Sequence, residues 1–289
     1  MKIAFIGFGE AGRAFHQSLA ATDPTLDFTG YDILVDQQGP TGTCAETMRS
    51  AGVAVARSAF EAIEGADWVF SAVTADQSLA AVKSAVPRLK AGQVLFDINS
   101  VSPQRKRDSA ALVAPTGAAY IDMAVMAPVH PKGHRTAVLL AGPVDAALAD
   151  EALRLGFAFD IVGPKAGAAT AIKMVRSLFV KGLEAITVET LLAAEASGCL
   201  DYILKSLAGY YPGLGLPDFA HYQFERSTRH GKRRAAEMRE SAVTLNDLGL
   251  TGALAGVTAD VQEKMAGLEA PQDAGLAALV QSVLAQRRR

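Results

Sequence analysis

The sequence predicts an α/β domain, a parallel sheet covered by helices on both faces, followed by an all-helical domain. Three features carry this expectation. Short apolar runs alternate with amphipathic stretches through the first half, a glycine-rich turn directly follows the first run, and beyond Gly163 helical spacing takes over. At about 150 residues per domain, 289 residues suit two. The expected division is 1–163 for the domain containing the sheet and 164–289 for the helical one.

The strand-like runs are 1–7 (MKIAFIG), 26–32 (LDFTGYD), 68–73 (WVFSAV), 93–98 (QVLFDI) and 119–125 (AYIDMAV). Near-continuous apolar runs of this length mark strands buried on both faces. Two further runs, 136–141 and 157–162, flank a helical stretch at 143–155. From 166 to 198 apolar residues recur at helical spacing without proline. A helix of about 30 residues is about 45 Å long at about 1.5 Å per residue, enough to link two domains and form the backbone of the second. The remainder reads as helical apart from a break at 209–217 (GYYPGLGLP). The terminal Arg287, Arg288 and Arg289 suit a solvated helix end, where positive charge complements the macrodipole.

Composition narrows the function. With 28 basic and 30 acidic residues the formal charge is -2, so no global polycation is available for nucleic acid or an anionic membrane. No apolar run approaches the roughly 20 residues that span a bilayer, and the first residues lack the order of a signal peptide, so a cytoplasmic location is expected. Cys44 and Cys199 stand far apart with no CxxC motif, which argues for reduced thiols and against a zinc site. His130 and His134 are four apart, but Pro131 and Gly133 break any helical metal-binding face, and no metal is expected.

The turn Gly7-Phe8-Gly9-Glu10-Ala11-Gly12 is a GxGxxG between a strand and a helix, the context that a Rossmann-type dinucleotide site demands. Gly7 permits the tight turn, Gly9 lets backbone approach a pyrophosphate, and Gly12 lets the helix pack on the strand. The helix N-terminus then offers unpaired N–H groups to the anion. Asp32 ends the second strand twenty positions after Gly12 (32 minus 12), where an acid binds the ribose hydroxyls. Its charge repels a 2'-phosphate, which favours NAD over NADP. Thr74, at the end of the fourth run, is a further cofactor contact or a local cap.

With this turn placed, the chain resembles the β-hydroxyacid dehydrogenases, the superfamily of 3-hydroxyisobutyrate and 6-phosphogluconate dehydrogenases. Residues 97–103 (DINSVSP) look like the family's DxST segment, which lies between nicotinamide and substrate. Residues 122–142 occupy the place of its DAPVSGG substrate loop, and 167–177 (GAATAIKMVRS) look like the interdomain helix bearing the catalytic lysine, here Lys173. The resemblance covers residues 1 to about 200, with the rest similar to a subgroup whose final domain has no assigned function. Two departures stand out. Met126-Ala127-Pro128 replaces SGG, and Ser177 replaces the asparagine expected four residues after the lysine.

Hydride transfer from an alcohol needs a base for the hydroxyl proton, and the reverse reaction needs the same group as an acid. On periodicity alone Lys173 reads first as a solvated lysine on an exposed stripe; the resemblance implies that it is the acid/base group. Ser177 and Lys181 share its helix face at i+4 and i+8, so Ser177 is a candidate substrate contact. Asn99 and Ser100 sit where ligands bind in open α/β sheets, although Ser102 and Pro103 also read as a plain helix cap and first position. His130 lies on the substrate loop. The basic segment Arg226, Arg229, His230, Lys232, Arg233, Arg234 reads as a solvated helix surface or, through Arg233, as an anchor for a substrate acid group. The resulting expectation is an NAD(P)-dependent oxidoreductase that interconverts a small β-hydroxy acid and its carbonyl, acting on a small anionic substrate. The resemblance implies a homodimer formed through the C-terminal helices. The rivals are an imine (C=N) reductase and a non-catalytic dinucleotide-sensing module.

Overall fold

The structure is a computed structural model that describes residues 1–271 and 275–288, so Arg289 of the terminal arginine run lies outside the described residues. The chain divides into two compact units, Met1–Lys173 and Met174–Arg289. The pattern change read at Gly163 precedes this division, which falls ten residues later.

In the first unit the elements follow as β1 (Lys2–Ile6), α1 (Glu10–Thr22), β2 (Asp27–Tyr31), α2 (Ile33–Gln38), α3 (Thr43–Ser50), β3 (Ala54–Val55), α4 (Ala59–Ala62), β4 (Trp68–Ser71) and α5 (Ser78–Ala85). They continue as β5 (Val94–Asp97), α6 (Pro103–Val113), β6 (Ala119–Val125), β7 (Val138–Ala141), α7 (Ala146–Arg154) and β8 (Phe159–Gly163). One sheet takes the order β3-β2-β1-β4-β5-β6-β7-β8. Every pairing is parallel except β6 with β7, so the expectation of a parallel sheet is corrected at that one hairpin-like return. Successive residues of a strand feed opposite faces. Ile3, Phe5, Phe70 and Phe96 enter one apolar cluster, whereas Ala4, Ile6, Val69 and Leu95 enter the other. Burial on both faces is why these strands carry no polar alternation. On the first face Phe70 stacks on Phe96 and Phe5 with ring centroids 5.0 and 5.6 Å apart. Burying each such ring contributes about 1.5–3 kcal/mol.

Strand order reverses between β1 and β4, and open α/β sheets bind ligands at the carboxyl ends of the strands flanking such a reversal. The turn after β1, the loop after β4 and the segment after β5 therefore share one edge. Helix α6 starts there as the sequence predicts, with Pro103 in its first turn and Ser102 as N-cap accepting from the Arg105 N–H at 3.4 Å.

Helix α8 (Ala168–Ala196) contains the division between the units. The second unit adds α9 (Leu200–Tyr210), α10 (Leu216–Asp247), α11 (Ala253–Met265) and α12 (Leu276–Arg287). The break predicted at 209–217 is a short 3-10 turn, Pro212–Leu214, after which Pro217 lies in the first turn of α10. Two apolar clusters hold this unit, one around Val188, Leu191, Phe224 and Val280 and one around Ala235, Met238, Ala255 and Ala259. Helices α10 and α11 approach closely because Gly231 presents no side chain: a Cβ there would stand 2.3 Å from the Gln262 carbonyl oxygen.

Candidate active site at the carboxyl edge of the sheet

The glycine turn has the shape that a pyrophosphate needs. Gly7 adopts φ +89°, and a Cβ on it would stand 2.3 Å from the Ala72 carbonyl oxygen, so only glycine lets the turn after β1 close against the end of β4. Gly9 is the N-cap of α1 without a side-chain cap, and nothing lies within 4 Å of where its Cβ would be. That open space in front of a helix N-terminus fits a dinucleotide phosphate. Glu10 and Ala11 form the first turn of α1, and Gly12 packs against the Gly7 carbonyl. Phe8 is buried, with its ring at the edge of Phe5 and His16, so it enters the core while its backbone borders the turn.

Asp32 faces the same turn. One carboxylate oxygen accepts the Phe8 N–H at 2.8 Å, and the other caps α2 by accepting the Leu34 N–H at 3.0 Å. The acid therefore braces the glycine loop. Carboxylate oxygens hold about four lone-pair sites between them, which leaves acceptors for ribose hydroxyls. Thr74 is exposed at the end of β4 and precedes a 3-10 turn, Ala75–Gln77. Arg13 donates from Nε to the Gly9 carbonyl oxygen at 3.3 Å, placing a cation beside this turn.

After β5 the two predicted neighbours have different fates. Asn99 is buried, and its side chain is already engaged: Oδ1 accepts the Val73 N–H at 2.7 Å, while Nδ2 donates to Ser71 Oγ at 3.0 Å and Ser78 Oγ at 3.4 Å. It ties the end of β5 to the end of β4 instead of presenting its amide to solvent. Ser100 is half-buried and receives a hydrogen bond from Lys173 Nζ at 2.6 Å. Residues 73 apart in sequence thus meet at one point. His130 is exposed on the loop after β6. Its neighbour His134 is fully buried, with Nδ1 2.7 Å from Ser18 Oγ and Nε2 2.8 Å from the Leu155 carbonyl oxygen. Burial pushes its pKa down, against the opposing pull of the Leu155 carbonyl.

Beneath Ser100 and Lys173 lies a charged network that sequence reasoning missed. Asp97 and Asp122 are register partners on β5 and β6, both fully buried. The equally buried Lys106 of α6 reaches both, with Nζ 2.9 Å from Asp97 Oδ1 and 3.6 Å from Asp122 Oδ1. Tyr120 OH donates to Asp97 Oδ2 at 2.7 Å, and burial beside that carboxylate holds the phenol well above its ordinary range.

In the second unit Ser177 is buried and accepts from Lys181 Nζ at 3.0 Å, and Lys181 pairs with Glu237 at 2.8 Å. Arg234 Nη1 donates to both oxygens of Glu184 at 2.5 and 2.6 Å, and Gln262 Nε2 adds a third hydrogen bond at 3.0 Å. Burial nonetheless pushes the Glu184 carboxyl up. Arg233 is exposed. His230 is pushed down to about 4, first by burial and then by Arg226, Arg233, Arg234 and Arg229.

Fold and turn together define a dinucleotide-binding α/β protein with a helical second unit. Residues 2–151 match the family model of the NAD binding domain of 6-phosphogluconate dehydrogenase, and the chain belongs to that family. Residues 194–265 match a domain of unknown function, DUF1932. A conserved hypothetical protein from Sinorhizobium meliloti 1021 is 32% identical, with 99% of this chain and 96% of that chain covered and a TM-score of 0.79. Mycobacterium tuberculosis 3-hydroxyisobutyrate dehydrogenase shares the fold at 20% identity over 98% of each chain, TM-score 0.72. An imine reductase from Bacillus cereus shares it at 18% identity over 91% of this chain and 92% of that chain, TM-score 0.57. The family supports a nicotinamide dinucleotide as cofactor. Among the described residues, no helix is long and apolar enough to cross a membrane.

Proposed function

We propose that the protein is an NAD(P)-dependent oxidoreductase that interconverts a small β-hydroxy acid and its carbonyl, with Lys173 as general acid and base. One observation carries this reading: the 2.6 Å contact between Lys173 Nζ and Ser100 Oγ at the sheet edge that also bears the glycine turn. Bound at the glycine turn, a nicotinamide dinucleotide would supply the hydride chemistry. This chain's residues do the rest. Neutral Lys173 takes the substrate hydroxyl proton on Nζ in oxidation, and its ammonium returns a proton to the developing alkoxide in reduction. Ser100 orients Nζ and the substrate oxygen through its hydroxyl. Asn99 holds the strand end that carries Ser100, so its role is positioning.

Gly9, Glu10, Ala11 and Gly12 offer their backbone N–H groups to the pyrophosphate, Gly7 and Phe8 shape the turn with their own N–H groups bound to Tyr31 and Asp32, Asp32 takes the ribose, and Thr74 borders the cofactor. NAD is preferred because the Asp32 carboxylate disfavours a 2'-phosphate. Within the first unit, His130, exposed on the loop after β6, is the further substrate contact. The functional particle is a homodimer. Supporting this, α8 exposes an apolar stripe of Val175, Phe179 and Ile186 at helical spacing, which a second copy related by a two-fold axis covers with the same stripe.

The test is turnover on a hydroxy-acid panel. Lys173→Ala should bind NADH as the native protein does while turnover collapses by about 10²–10⁴-fold, the range of positioned proton transfer. Native-like turnover in this variant refutes the assignment. An amine and imine panel run alongside decides for the C=N rival, and cofactor binding without turnover on either panel decides for the sensing module.

A further inference from the structure

Asp97, Asp122 and Lys106 are fully buried, yet their hydrogen bonds run to the segments that carry Ser100 and Lys173. Asp97 and Asp122 are register neighbours on parallel strands, where two like charges repel. Lys106 Nζ bonds Asp97 through Oδ1 at 2.9 Å and through its carbonyl oxygen at 2.6 Å, and stands 3.6 Å from Asp122 Oδ1. From Asp97 the network continues forward, since Oδ1 accepts the Asn99 N–H at 3.0 Å one residue before Ser100. From Asp122 it continues to the start of α8. Oδ2 accepts the Gly167 and Thr170 N–H groups at 2.9 and 3.0 Å, and Oδ1 accepts the Thr170 hydroxyl at 2.6 Å, three residues before Lys173.

We propose that Lys106 is a positioning residue: its ammonium, shared by Asp97 and Asp122, sets the separation between Ser100 Oγ and Lys173 Nζ. The consequence for catalysis rests on the reading of Lys173 as the acid/base group; the geometric claim does not. Without Lys106 the bridge between Asp97 and Asp122 is lost, and with it the tie that fixes the strand end against the first turn of α8. A site that must hold its reacting groups within a few tenths of an ångström then loses rate without losing cofactor affinity.

The experiment measures acetic anhydride labelling of Lys173 in the full chain by peptide mass spectrometry, with Lys205, exposed on α9, as internal reference. The variant is Lys106→Met combined with Asp97→Asn, which keeps the cluster's net charge; NADH titration reports that the first unit is folded. Lys173 labelling rises at least about threefold relative to Lys205 as the bond to Ser100 loosens, and on any active substrate kcat falls about ten- to a hundredfold with KM little changed. A folded double variant whose Lys173 labels at the native rate overturns the proposal. Should that variant not fold, Lys106→Arg keeps the positive charge but not the ammonium's position between the two carboxylates, and the same labelling ratio decides, faster supporting and unchanged overturning. A changed labelling rate together with full turnover in Lys173→Ala leaves the positioning intact and removes the catalytic reading.

Discussion

Asp32 is the residue at which structural and cofactor roles separate most cleanly. Replacing it with alanine removes the acceptor for the Phe8 N–H and the N-cap of α2. Loss of the cap costs about 1 kcal/mol. Loss of a charge-assisted bond to a part-buried amide costs about 1.5–3 kcal/mol. The first unit should therefore unfold about 2–4 kcal/mol more easily, a drop visible in a thermal or urea melt. Binding changes independently. A carboxylate accepting ribose hydroxyls is worth about 1.5–3 kcal/mol, which at about 1.4 kcal/mol per decade raises the NADH Kd about ten- to a hundredfold. NADPH has no such bond to lose and is relieved of repulsion, so its affinity holds or improves. Asp32→Asn keeps one of the two accepting oxygens, so it should melt between the native protein and Asp32→Ala while NADH weakens as in Asp32→Ala. Fluorescence titration with both nucleotides measures the two Kd values. Equal weakening of NADH and NADPH in Asp32→Ala would show that Asp32 only braces the loop, and the assignment to ribose would be wrong.

Acid should destabilise both units. His134 is held below its ordinary pKa of 6.5 by burial and His230 is held at about 4, so each unfolded histidine binds a proton that the folded one refuses. Stability is present above pH 6.5 and is lost as pH falls from there toward 4. Melts across this range should show that slope, shallower in His230→Gln; a flat profile contradicts it. Self-association through α8 predicts that Phe179→Asp, at a side chain 73% exposed in the single chain, converts dimer to monomer in sedimentation at micromolar concentration. An unchanged sedimentation coefficient would place any dimer contact elsewhere.

Much of the site was legible because its signals are local. The GxGxxG turn encodes its own backbone requirement, and Ser102-Pro103 encodes the start of α6. Strand direction is not local: alternation along 136–141 reads the same whichever way β7 runs, so its antiparallel pairing was hidden. Strand β3, two residues long, is too short to show any period. Lys106 was illegible for a different reason. It lies in the run PQRKRD, polar on all sides, where every lysine reads as solvated until the register of Asp97 with Asp122 is known. Arg233 and Arg234 are chemically identical neighbours about 100° apart on α10. Arg234 falls on the buried face of α10 with Gly231, Ala235 and Met238, where Glu184, 50 residues away, meets it, and Arg233 falls on the exposed face.

Three carboxylates, Asp32 after β2, Asp97 at the end of β5 and Asp122 within β6, border the edge proposed for the cofactor, and each accepts backbone N–H groups there. An anionic ligand at such an edge is favoured only if these charges are answered locally. Asp122 is met by the start of α8 and by Lys106, Asp97 by Lys106 and Tyr120, and Asp32 by the Phe8 and Leu34 amides. The N-terminus of α1 carries no side-chain carboxylate cap, because Gly9 occupies that position. Its amide dipoles thus stay available to a phosphate. By the same logic, Gly9→Asp would supply the missing anion internally. It should raise helix stability by about 0.3–1 kcal/mol while abolishing nucleotide binding, a pairing of effects that a turn serving only the fold would not show.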